Sequence, residues 1–197
     1  MIGFNISGYL IFALVTSITP GPNNIMLFSH GKVFGFKPSF KLMLGIFLGF
    51  STLLYISGYG IAGMIAKSPT IGMILKIISS VWLIYLAFIL SKLSSEISSE
   101  SSSKIGVYQG FLMQFVNPKA WIMAIAGAGA FMPHFQSIHL NVFIFTITFG
   151  LVGFPCMILW TLFGGIISKL LKSEKANRIL GLCLFLLMIC SVVMIWL

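Results

Sequence analysis

Two polar interruptions in otherwise apolar sequence carry whatever chemistry this chain performs. The second is Asn117-Pro118-Lys119, where Lys119 has at least twelve uncharged residues on each side. An ionised lysine inside a bilayer costs about 2.5–3.5 kcal/mol on insertion scales, so it must face a partner or a wet cavity. It could bind a substrate carboxylate, helped by the N-terminus of a half-helix restarting at Ala120. It could instead be structural, bonded to carbonyls that the break sets free. The first interruption is Pro20-Gly21-Pro22-Asn23-Asn24. Pro22 removes a backbone donor and Gly21 lets the backbone be approached closely. The Asn23 and Asn24 amides offer donors and acceptors without charge, which suits a zwitterion whose ammonium seeks carbonyl oxygens. The bland alternative is a kink whose polar groups satisfy one another. Gln114 and Asn117, three apart, share a helix face. Gln114 could line the same cavity or bridge helices.

The elements that would position these groups are membrane helices. Of 197 residues, 58% are hydrophobic and 8% charged, too apolar for a soluble core of this length. Residues 5–30 read as a first helix broken near Pro20, 42–66 as a second and 70–91 as a third. The Ser/Glu/Lys stretch 92–104 is a polar linker. Residues 105–131 form a fourth helix broken at Asn117, 140–167 a fifth containing Pro155, and 179–197 a sixth, with a basic loop at 169–178. At ~1.5 Å per residue each crosses a ~30 Å core. Three helices on each side of the linker invert the second half relative to the first. The expected fold is an all-α integral membrane protein of six transmembrane helices, two inverted three-helix repeats (1–91 and 105–197), each led by a broken helix, 1 and 4.

Formal net charge is +9, but its placement is that of membrane topology rather than nucleic-acid binding. Lys32, Lys37, Lys41, Lys92, Lys104, Lys169, Lys172, Lys175 and Arg178 fall on one side, and Lys67 and Lys76 on the other. Nine against two places the linker in the cytoplasm and both termini outside. The start of the chain lacks the cationic region of a cleaved signal peptide.

The remaining groups speak against an enzyme. There is no HExxH, no GxSG, and no acid within a span: the chain has no Asp, and its acids are Glu96, Glu100 and Glu174. No metal spacing and no cofactor motif occur. Cys156, Cys183 and Cys190 read as buried free thiols, and His30, His134 and His139 as interfacial residues at segment ends. Gly45 with Gly49, and Ala126 with Ala130, are small-residue pairs of the kind that pack helices or seat a homodimer.

At these residues the chain resembles the lysine exporter / homoserine-threonine resistance (LysE/RhtB) family. Thr19-Pro20-Gly21-Pro22 is followed by Asn117-Pro118-Lys119-Ala120 at the family's spacing. Gly31-x-x-x-Gly35-Phe36, Gly45-x-x-x-Gly49 and Phe131-Met132-Pro133-His134-Phe135 also fit. The resemblance implies a six-helix bacterial inner-membrane exporter of amino acids or their derivatives, driven by protons, without a cofactor. Many members carry Asp directly after Pro-Gly-Pro. Asn23 stands there in this chain, as in the Pro-Gly-Pro-Asn-Asn subgroup of the cysteine/O-acetylserine exporter. Without that carboxylate a strongly cationic substrate has no intramembrane acid to pair with. Lys119 is then the candidate proton carrier within the spans, thiols and tyrosines apart.

The expected function is therefore secondary export of a small neutral amino acid by proton antiport and alternating access. Lys119 would hold the carboxylate, and Asn23, Asn24 and the carbonyls of 20–22 the ammonium. Two other readings stay open: a passive channel for small zwitterions, and a helical membrane interaction protein with no cavity.

Overall fold

The computed structural model describes residues 4–61, 64, 67–95, 105–171 and 173–196. Helix α1 (Ile6–Ile18) starts on Asn5, whose side chain accepts from the Gly8 amide, and stops where Thr19 turns extended. Pro22 opens α2 (Pro22–Phe34) at a position where its missing N–H is not needed. The two helices are bent 52° apart at the break. Gly35 ends α2 and begins α3 (Phe36–Gly58) with a φ of 79°, a left-handed backbone that glycine adopts without strain. Helix α4 (Pro69–Ser95) follows.

The second half opens on a short α5 (Val107–Leu112), which tightens into a 3₁₀ turn (Met113–Val116). Asn117 then caps α6 (Pro118–Phe131), its side chain accepting from the Lys119 amide. Helices α7 (Ile138–Leu170) and α8 (Glu174–Trp196) complete the chain. Pro155 lies inside α7 without interrupting it.

The helix ends differ from those that charge alone suggests. The second begins at Phe36 rather than Leu42, because Lys37 and Lys41 project outward from its first turns. It ends at Gly58 rather than Ala66, shortly before Gly60 turns left-handed with a φ of 79°. Residues 171–173 alone separate α7 from α8, so most of the expected basic loop is helical. Residues 92–95 of the expected linker continue α4, and 96–104 lie outside the described residues.

Among the described residues, four helices are long and apolar enough to cross a membrane, or five with α1 and α2 taken as one bent span. The sixth expected crossing would be α5 with α6, whose first part is only six helical residues and a 3₁₀ turn. Large apolar side chains cover the exterior, Leu151 and Leu170 among them, as lipid contact requires. The molecule is a multi-pass membrane protein.

Helix α7 packs against α1, α2 and α3; α3 packs also against α5 and α6; and α4 lies along α8. One buried cluster joins Tyr9, Leu53, Ala120, Ala124, Phe145 and Phe149 from α1, α3, α6 and α7. A second, rich in methionine, joins Met26, Leu42, Met43, Ile46, Met113 and Met157. Where glycines meet backbone, the helices approach closely. A Cβ on Gly31 would lie 2.2 Å from the Thr161 carbonyl oxygen, and one on Gly164 2.0 Å from that of Phe28, so α2 and α7 fit only without side chains there. Cβ atoms on Gly45 and Gly49 would lie 2.1 and 2.5 Å from the Val107 and Phe111 carbonyl oxygens. The Gly45/Gly49 pair thus packs helices within the chain, against α5, the first of its two readings. Ala126 and Ala130 are exposed.

Candidate functional site

A helix end inside a membrane must find a partner for every carbonyl it frees. The end of α1 does so completely. Thr16 O accepts from Thr19 Oγ1 at 3.1 Å, and Ser17 O from Asn24 Nδ2 at 2.7 Å. Ile18 O accepts from the Trp160 indole at 3.2 Å. Thr19 O accepts from Asn24 Nδ2 at 2.8 Å and from Lys119 Nζ at 3.1 Å. Pro20 O accepts from Lys119 Nζ at 3.2 Å. Lys119 Nζ also donates to Thr19 Oγ1 at 2.9 Å. Three oxygens thus meet its three N–H donors. The negative end of the α1 dipole favours the cation there, against the positive end of its own helix α6.

The second break is braced by the first. Asn23 Nδ2 donates to Gln114 Oε1 at 2.8 Å, and Asn23 Oδ1 accepts from Gln114 Nε2 at 3.1 Å and Asn117 Nδ2 at 3.0 Å. The Trp121 indole donates to Phe115 O at 2.9 Å. Asn23 follows Pro22 at the start of α2 as Lys119 follows Pro118 at the start of α6. Each of these side chains crosses to the opposite break.

Between the two buried clusters lies a cavity with about 60 Å³ of room for the centres of water-sized molecules. Of the residues expected at a site, Gly21, Pro22, Asn23, Asn24, Asn117 and Lys119 line it. Pro20, Gln114 and Pro118 do not. Pro20 contributes its carbonyl to Lys119, Gln114 is wholly buried behind Asn23, and Pro118 only starts α6. The structure therefore makes Lys119 a ligand of the freed carbonyls, with its ammonium reaching the cavity wall. The Asn23 and Asn24 amides are largely committed to the two breaks.

Sequence reading missed other parts of the site. Thr19 supplies two of the Lys119 contacts, and Trp160 and Trp121 solvate carbonyls of the breaks. The hydroxyls of Ser17 on α1 and Ser51 on α3 make no hydrogen bond among the described residues, and both residues line the cavity. Gly150 and Gly153 on α7 leave the wall open: a Cβ there would come to 3.0 Å from Phe47 and 3.3 Å from Ser17 Oγ. A lone hydroxyl or indole in an apolar run gives no pattern that would have singled these out.

Two expectations about titratable groups change. His30 is buried rather than interfacial: its Nδ1 lies 2.8 Å from Ser39 Oγ, which itself donates to Gly35 O at 2.6 Å. His134 and His139 are exposed, as expected. Cys156 is buried, but Cys183 and Cys190 face outward from α8. No cluster of His, Cys, Asp or Glu among the described residues could hold a metal.

Gly21 is needed for space. Its φ of −179° is open to any residue, yet a Cβ there would lie 2.8 Å from Lys119 Cδ and 3.0 Å from Nζ. A flexible side chain can retreat, so Gly21→Ala is expected to fold and to pull the ammonium off at least one oxygen. A hydrogen bond to a charged group is worth ~1.5–3 kcal/mol, so transport in vesicles should fall at least about tenfold. Unchanged transport would mean that the lysine contacts do not matter to it.

The chain matches the model of one family, "LysE type translocator", over residues 14–196. It is 27% identical over 191 residues to the cysteine/O-acetylserine efflux protein of Salmonella choleraesuis (strain SC-B67), covering 95% of each chain. To the protein of the same name from Escherichia coli (strain K12) it is 25% identical over 191 residues, again with 95% of each covered. No solved structure matches the chain.

Proposed function

Since the chain belongs to the LysE type translocator family, we propose that it exports a small neutral amino acid or amino-acid derivative from the bacterial cytoplasm across the inner membrane. Cysteine and O-acetylserine, named for its relatives, are the first candidates. The observation that carries this reading is a cavity lined by both broken helices, whose wall holds, among the described residues, one ammonium, two free hydroxyls and no carboxylate. Such a lining suits a zwitterion with a short polar side chain and offers nothing to a cationic one.

We assign transport to proton antiport with alternating access of two inverted halves, 1–91 and 105–197. Three features support the inversion. The breaks carry matching Pro-plus-polar starts at α2 and α6. Asn23 and Lys119 brace the two breaks reciprocally. Helix α1 packs on α7 as α5 packs on α3. Lys119 is the proposed proton carrier, and the burial of His30 in α2 adds an imidazole as a second candidate. The decisive experiment is uptake of labelled amino acids by inside-out vesicles under an imposed proton gradient. Gradient-dependent accumulation of cysteine or O-acetylserine supports the assignment. Accumulation that ignores the gradient would leave a passive channel, and absence of any uptake would remove the export reading.

The charge asymmetry supports an orientation with the termini outside, which can be checked separately. In a variant without native cysteines, cysteine at the exposed Ser173, between α7 and α8, should resist an impermeant thiol reagent in intact cells. Cysteine at the exposed Gln136, before α7, should label readily. The reverse pattern would invert the topology.

A further inference from the structure

The oxygens best placed to receive a substrate's ammonium are already taken. Thr19 O, Thr19 Oγ1 and Pro20 O hold the Lys119 ammonium at 3.1, 2.9 and 3.2 Å. The lysine chain lies so close over Gly21 that a Cβ would meet its Cδ at 2.8 Å. Among the described residues no carboxylate lines the cavity to neutralise it. A second cation brought to the same oxygens would face Lys119 at close range where screening is weak. An anion alone would draw Lys119 away and leave the end of α1 without donors for Pro20 O.

Resting on the export reading above, we propose that substrate binds by exchange with Lys119. Its carboxylate takes the Lys119 ammonium, and its own ammonium takes the vacated Thr19 and Pro20 oxygens. In the empty protein the lysine stands in for the positive half of the zwitterion. Both charges of the substrate are then required together, and they must sit close to one another, as on the single carbon of an α-amino acid. Thr19 O keeps its bond to Asn24 throughout, so the end of α1 is never left bare. The side chain is left to the Ser17 and Ser51 hydroxyls and the open wall at Gly150 and Gly153.

The test is competition against labelled L-cysteine in counterflow with reductant present, using purified protein in liposomes. The competitors are unlabelled L-cysteine, 3-mercaptopropionate, which lacks the ammonium, and cysteamine, which lacks the carboxylate. Each half-molecule is expected to compete at least about a hundredfold less well than cysteine, one charge-assisted contact set being lost in each case. Thr19→Val removes one oxygen from the lysine. It should improve competition by 3-mercaptopropionate about tenfold relative to cysteine, because only the half-molecule gains from a looser lysine without losing an ammonium ligand. A purely structural Thr19 would leave that ratio unmoved. Cysteine uptake with 3-mercaptopropionate competing as well as cysteine would overturn the exchange while leaving export intact. Absence of counterflow for cysteine, O-acetylserine and serine alike would overturn both.

Discussion

Lys119→Met should abolish transport, by more than about a hundredfold, while the protein still inserts and folds. The lysine makes three hydrogen bonds to the end of α1, and each charge-assisted bond is worth ~1.5–3 kcal/mol. Structural loss is limited, because Thr19 O retains Asn24 and an uncharged side chain lowers the cost of insertion. The functional loss is not compensated, since among the described residues no other cation lines the cavity. Lys119→Arg should be impaired as well: a planar fork does not reproduce three converging donors from one compact ammonium. Lys119→Gln separates coupling from binding. Downhill flux without response to a proton gradient would support the lysine as proton carrier, and intact coupling would pass that role to another group such as His30. Full transport by the Met variant would remove Lys119 from the site.

Gly31→Ala and Gly164→Ala should each destabilise the protein, whereas a glycine-to-alanine change at an open helix position should not. The added Cβ would sit 2.2 and 2.0 Å from backbone carbonyl oxygens of the facing helix, and backbone cannot retreat as a side chain can. Overpacking of this kind costs ~1–3 kcal/mol or more, which corresponds to a fall in melting temperature on the order of 5 °C. Gly129→Ala is the control. It lies in α6 with nothing within 4 Å of its Cβ position, and in a helix interior alanine is favoured by ~0.5–1 kcal/mol. Melting of the detergent-solubilised proteins followed by size-exclusion fluorescence gives the comparison. Equal melting of Gly164→Ala and Gly129→Ala would mean that α2 and α7 are not in backbone contact.

The breaks and their prolines were legible in the sequence because proline and glycine act locally. Pro22 and Pro118 start helices in the structure as their missing N–H groups dictate. The lone intramembrane lysine was legible too, since an unpaired charge among apolar residues must be used somewhere. Its partner was not. Thr19 and Pro20 answer it with two backbone carbonyls and one ordinary hydroxyl, groups without identity in a sequence pattern. Both readings of Lys119 therefore stood open until geometry showed the ammonium on the freed carbonyls. The role of Gly45 and Gly49 stayed open between two readings for a related reason: a small-residue pair announces close packing but not whether the neighbour is another copy or α5. Helix ends were misplaced where amphipathic turns carry lysines outward, as at Lys37 and Lys41.

The solvation of α1 by distant residues sets an order of assembly. The donors to Ile18 O and Pro20 O come from 142 and 99 residues further along the chain. When the first helix leaves the ribosome, neither α6 nor α7 has been made, so its broken end must rest in water or in the insertion machinery until they arrive. An N-terminal half made alone would leave the Ile18 and Pro20 carbonyls permanently without these donors. Such a half, co-expressed with the C-terminal half from a separate message, should be degraded unless its partner is present. For this chain the kink is a promise made early in synthesis and kept only when the second half has threaded into place.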